Sequence, residues 1–178
     1  MAKILGSWSG MRKYLEQEML APCLRGRIRY ECTSFVGMDG CRVFSICVDD
    51  VVVQRFSWET ANSALLPQKP NPNPHGVQEY WAGFWDALEA VPLSERQAFT
   101  DGEFCSALFQ YRQQDIQKSL ASDNPLVRLF AILDRRVGKR SLQSAQKALS
   151  QQPAWLRPYY ELRLHAEGLE TEAPRNPI

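Results

Sequence analysis

The heptapeptide Asp134-Arg-Arg-Val-Gly-Lys-Arg140 sets four cations and one carboxylate across a break between two helical patterns. Guanidinium forks bind carboxylates and phosphates bidentately, so the chemistry this stretch offers is anion recognition. Lys139 and Arg140 open the second helical pattern, where the macrodipole disfavours each cation by roughly 0.3–1 kcal/mol. With Arg128 added, residues 128–140 hold five cations against Asp134 alone, a local excess of +4. Two readings follow. Arg128, Arg135, Arg136, Lys139 and Arg140 form an anion- or partner-binding set for an acidic protein surface or a phosphate backbone. Alternatively they make structural ion pairs with Asp134, Glu161 or Glu167. Helical spacing puts Arg128 and Arg135 on one face, away from the apolar stripe.

Other groups able to do chemistry do not converge. Arg25, Arg27 and Arg29 alternate along a strand, and without aromatic neighbours they read as a solvated ladder that discourages edge pairing. His75 lies in a proline-rich stretch and His165 in the last helical pattern, which makes a poor dyad. Cys105 follows a helix start, where a dipole can activate a thiol, but a buried structural cysteine is the simpler reading. Cys41 and Cys47 fall on one strand face and Cys32 on the other, and no CxxC occurs, so no metal site is expected. Gly138-Lys139 lacks the upstream glycine and the following Ser or Thr of a phosphate loop. No catalytic residue, cofactor or metal is assigned.

Composition bounds the rest. A chain of 178 residues with 44% hydrophobic content can build a genuine core, and a net charge of +1 gives no global attraction to nucleic acid or membrane. The first fifteen residues lack a signal-peptide core, and no run of about 18 apolar residues could cross a bilayer. A reduced, cytoplasmic protein with no membrane contact is expected, its oligomeric state open.

The elements that must position these groups can be read from periodicity. Ser7 or Ser9 caps a first helix from about Met11 to Leu20. Three antiparallel strands follow, with Met38–Gly40 as a three-residue turn that puts Tyr30 opposite Val48 and Cys32 opposite Ile46. Asp49-Asp50 forms the second turn, with Val51 opposite Val48, Val53 opposite Ile46 and Arg55 opposite Phe44. Residues 67–76 form a proline-rich linker. Val77, Tyr80, Trp81, Phe84, Trp85 and Leu88 recur at helical spacing, an aromatic stripe expected to cover the sheet. Later helices run from Pro92, from Glu103 to about Leu120, from Asn124-Pro125 to Gly138, through Leu142–Leu149, and from Pro153 with Trp155, Leu156, Tyr159, Leu162 and His165 inward.

The blocks Trp8-Ser9, Leu24–Ile28, Asp123–Leu129, Asp134–Arg140 and Tyr160–Gly168 resemble a family of small uncharacterised bacterial proteins that includes members from enterobacteria and bacilli. The resemblance implies a free-standing bacterial protein and supplies no catalytic residues. The fold expected is α+β: a small three-stranded antiparallel meander packed on helices, followed by an all-helical C-terminal half. Its parts are residues 1–66 (helix plus meander), the linker 67–76, a helical region 77–169 packing on the sheet within one domain, and a flexible tail 170–178. The function expected is protein–protein interaction, of an accessory or immunity type. Nucleic-acid binding through Arg128–Arg140 is the alternative.

Overall fold

The computed structural model describes residues 7–34, 42–68, 71 and 73–169. Its architecture is α+β, a three-stranded antiparallel sheet in the order β1-β2-β3 with helices around it and a helical C-terminal half. The expected Met38–Gly40 turn and the tail 170–178 lie outside the described residues.

Ser7 accepts from Gly10 N–H (3.2 Å) and starts α1, Trp8–Lys13. The helix then widens into a π-helical stretch, Tyr14–Met19. This places Glu16 against the sheet, where Oε1 accepts from Tyr30 N–H (2.8 Å). A carboxylate on that edge N–H blocks strand addition there.

The sheet comprises β1 (Ile28–Ser34), β2 (Arg42–Val48) and β3 (Val51–Phe56). Tyr30 faces Ile46 and Cys32 faces Phe44, two residues away from the expected register. A shift of two keeps every side chain on its face, so the apolar alternation read from the sequence survives while the partners change. At the second turn, Asp49 (φ +48°) and Asp50 (φ +68°) are both left-handed, as a type I′ hairpin requires. Arg27 holds Asp49 through two bonds (2.9 and 2.6 Å) and Arg29 holds Asp50 (3.1 Å), a clamp on this turn, whereas Arg25 donates to Gln17 O (3.1 Å); Arg25 and Arg27 precede β1, so the three do not form the expected ladder along one strand. Val51 faces Val48 as expected, but a bulge at Ile46/Cys47 follows. Gln54 then faces Ile46 and Phe56 faces Phe44, in place of Val53 and Arg55. One extra residue in a strand exchanges which side chains point inward beyond it. Hairpin spacing alone carries no sign of that residue.

The helix that covers the sheet is α4 (Asp101–Arg112), not the aromatic one. Phe104 lies 4.9 Å from Phe44, 4.8 Å from Phe56 and 5.3 Å from Phe130, ring centre to ring centre. Thr100 and Glu103 cap α4 reciprocally, which fixes its first turn. The aromatic α3 (Val77–Ala90) packs instead on α2 (Trp58–Leu65), a helix unforeseen from the sequence that starts at the Ser57 cap. Together they bury a separate small cluster of Leu65, Phe84, Ala87 and Leu88. The proline-rich stretch therefore joins these two helices, and Glu79 pins it by accepting from His75 N–H (3.0 Å). Arg96 ties this pair back to α4 through the Leu88 and Val91 carbonyls and Glu103.

The helix expected from Glu103 to Leu120 is two, α4 and α5 (Ile116–Leu120), the second capped by Asp115. α6 (Pro125–Leu133) is buried on nearly every side except at Arg128. α7 (Lys139–Lys147) and α8 (Arg157–Ala166) complete the fold. On α8 the inward residues are Tyr159, Tyr160, Arg163 and Leu164, with His165 exposed. Among the described residues no helix is long and apolar enough to cross a membrane.

Candidate functional site

α6 ends at Leu133, five residues sooner than Gly138, so Asp134–Gly138 is a non-helical crossing between α6 and α7. Arg135 is consequently off the helix and shares no face with Arg128. The crossing is held from three directions. On one side the chain after the π-helical stretch pairs with it: Ala21 N–H donates to Leu133 O and Arg135 N–H to Met19 O, both at 2.9 Å.

On the second side lies the Asp134 carboxylate, 1% exposed. Oδ1 accepts from Arg136 N–H (2.6 Å), and Oδ2 from Arg136 Nε (2.9 Å) and Nη2 (2.7 Å). The Tyr111 hydroxyl also donates to Oδ2 and accepts from Arg136 Nη2 (3.0 Å). A buried carboxylate is stable only when its lone pairs are filled this fully. The Arg136 side chain is half exposed. Arg112 stacks over Tyr14 (4.7 Å to the ring centre) nearby. Burial first, and the Asp134 charge second, push the Tyr14 hydroxyl pKa up against the opposing pull of Arg112 and Arg136.

On the third side is Arg163, buried at 2% exposure. Its Nη1 donates to Asp134 O (3.0 Å) and Ile132 O (3.4 Å), and its Nη2 to Val137 O (3.1 Å). The Ile132 and Asp134 carbonyls lie at the C-terminal end of α6, the negative end of its dipole, which favours a buried arginine there, and the Val137 carbonyl belongs to the crossing that follows. Glu167 pairs with Arg163 Nη2 (3.1 Å) and accepts from Cys23 Sγ (3.2 Å).

The five cations singled out by sequence thus separate. Arg128 is a strut: Nε donates to Gln152 Oε1 (3.0 Å) and Nη1 to Ser122 O (2.5 Å). Arg136 belongs to Asp134. Arg135, Lys139 and Arg140 are exposed and have no ion pair among the described residues. Arg140 also borders a cleft of about 360 Å³ with Gln117, Gln152 and Tyr160. Of the expected carboxylate partners, Asp134 meets the heptapeptide, Glu167 serves Arg163 instead, and Glu161 is exposed without an ion pair among the described residues. Tyr111 and Arg163 were missed. Arg163 left a trace, a cation three and four residues from Tyr160 and Tyr159 on a buried face, but Tyr111 read as an ordinary core aromatic.

Two further points bear on chemistry. Burial pushes the Cys105 thiol up to about 11, with Asp101 adding to it, so the thiol is not activated by the α4 dipole. Among the described residues no group of His, Cys, Asp and Glu is placed to hold a metal. A family model, that of the SF0329 protein family, matches residues 7–164, from the α1 cap into α8. The chain belongs to the SF0329 protein family. The matched span takes in both the sheet and the whole heptapeptide crossing. Among curated proteins and among solved structures nothing matches.

Proposed function

We propose that this SF0329 family chain is an interaction protein, of an accessory or immunity type, that presents Arg135, Lys139 and Arg140 to an acidic surface of another protein. One observation carries the reading: within a single heptapeptide, Arg136 is committed to a buried carboxylate while its three cationic neighbours face solvent without counter-ions among the described residues. Arg135 lies in the crossing, which is braced by Asp134, Arg163 and Met19 O, and Lys139 and Arg140 follow it in the first turn of α7, so the chain that leads into all three is pre-organised. The cytoplasm is the compartment proposed, in keeping with free thiols at Cys23, Cys32, Cys47 and Cys105. Capture from native extract by the wild-type chain and by R135E/K139E/R140E tests the proposal. A protein retained by the first and lost from the second supports it; retention by both contradicts it.

A second reading is binding of a nucleic-acid phosphate backbone. It is favoured by the start of α7, where Gly138 provides no side-chain cap and the first turn holds no acid. Free helix N–H groups beside two cations suit phosphate. Three phosphate contacts would give a log–log salt slope of about −2 to −3 on duplex DNA. A flat dependence rules this reading out.

A further inference from the structure

The α2–α3 pair carries the opposite kind of surface. Its own core is only four buried residues, and it leaves apolar side chains outside: Trp85 is 52% exposed, Val77 74% and Leu66 42%. Trp81, half-buried, bridges Trp58 (ring centres 5.6 Å apart) to Phe84 (5.8 Å), and Phe84 in turn meets Trp85 (5.1 Å). Phe84 is buried beneath these rings, so Trp58 and Trp81 (both half-buried) and Trp85 (exposed) present their indoles around a common buried ring, and exposed apolar groups gathered in this way mark interaction surfaces. From 57 to 91 the sequence holds four acids, Glu59, Glu79, Asp86 and Glu89, against one cation, Lys69, which lies outside the described residues. None of the four makes an ion pair among the described residues. Glu89 follows Trp85 by four positions, so carboxylate and indole share one helix face.

A surface that offers indole faces beside carboxylates selects cations, because the ring quadrupole and the acids act in the same direction. The same chain displays such cations, Arg135, Lys139 and Arg140, also without counter-ions. Its net charge of +1 leaves little overall repulsion between copies. We infer that the acidic surface met by the basic face is the α2–α3 patch of a second copy of this chain. The inference rests on the reading of the basic face given above and names its partner. Because two different patches meet, the contact is heterologous: each copy contributes the basic face at one junction and the aromatic one at the next, so assembly closes as a ring or extends. Charge steering and a few cation–π contacts make it a weak contact that salt reverses.

Light scattering on the purified full chain, over a wide concentration range at low salt, reads this directly. The expected result is a mass that rises with concentration and returns to monomer at high salt. D86K/E89K and R135E/K139E/R140E each remain monomeric alone. Mixed in equal amounts they regain mass, because the first retains an intact basic face and the second an intact aromatic, acidic one. All five positions are exposed, and a misfolded variant could not recover mass by mixing, so folding failure cannot imitate the result. A wild-type chain that is monomeric throughout overturns the inference. So does association that either variant retains, or a mixture that stays monomeric. If the wild type is monomeric while R135E/K139E/R140E still loses a captured protein, the second copy is excluded and the basic-face reading stands. If capture is unaffected by charge reversal, the underlying reading fails with it.

Discussion

At the residue scale, neighbouring cations of one heptapeptide have different jobs, and substitution should separate them. Arg136→Ala leaves the buried Asp134 carboxylate with only a tyrosine hydroxyl and a backbone N–H. The expected loss is about 3 kcal/mol, at the low end for a broken buried pair because Arg136 itself is half exposed. Arg135→Ala removes an exposed side chain whose backbone N–H still bonds Met19 O, and should change stability by no more than about 0.5 kcal/mol. Urea unfolding of the two variants measures this; equal losses would show that the division of labour is mistaken. Buried acids give a second prediction. Burial raises Cys105 to about 11 and Tyr160 to about 12, and raises Tyr30 and Tyr159 too. Each is neutral when protonated, so the folded state holds its protons more tightly than the unfolded chain. Stability should be intact below about pH 9 and fall as pH rises through 9–12. In the same measurement a thiol probe at pH 8 should label Cys105 promptly only in denaturant. Fast labelling of the folded protein at Cys105 would contradict the raised pKa that its partial burial and Asp101 give it.

At the element scale, the core is built where Phe104 of α4 meets Phe44, Phe56 and Phe130. Phe104→Ala should cost about 3–5 kcal/mol, whereas Trp85→Ala on α3 should cost well under 1 kcal/mol, since its ring is largely in solvent. Thermal unfolding ranks the two, and the reverse order would restore α3 as the cover of the sheet. Alternation places Tyr30, Cys32, Phe44, Ile46 and Val48 on one face of the sheet, because a slip of one residue would mix the two faces, and that face is the inward one. It could not exclude a slip of two, which leaves the pattern unchanged, nor the bulge at Val53. Spacing likewise found α3 but could not say what the stripe packs on; aromatic richness suggested the main core, and the residues bury only a satellite. The cap at Asn124-Pro125 was legible because a polar cap followed by proline has few other uses. The end of α6 was not. Asp134 stops it by engaging Tyr111 and Arg136, and Arg163 from α8 satisfies its last carbonyls, contacts that only the tertiary structure supplies. The candidate site was therefore half readable: the cations stood out, but which of them were already engaged depended on groups 23–29 residues away.

At the scale of the whole molecule, a nearly neutral chain keeps a small basic face and a small acidic, aromatic face, each without counter-ions among the described residues. Long-range fields are weak at this net charge, so any association must be short-ranged and fade as the screening length shrinks below about 10 Å. On the β1 edge the Tyr30 N–H is taken by Glu16, which opposes strand addition on that side of the sheet. Capture by the charge-reversed chain, R135E/K139E/R140E, measured beside its unfolding midpoint, is the direct test of the basic face. The expected result is a wild-type midpoint together with loss of every bound protein that the native chain retains. Undiminished capture by a variant that is equally stable would contradict it, because the exposed cations would then have no role in binding.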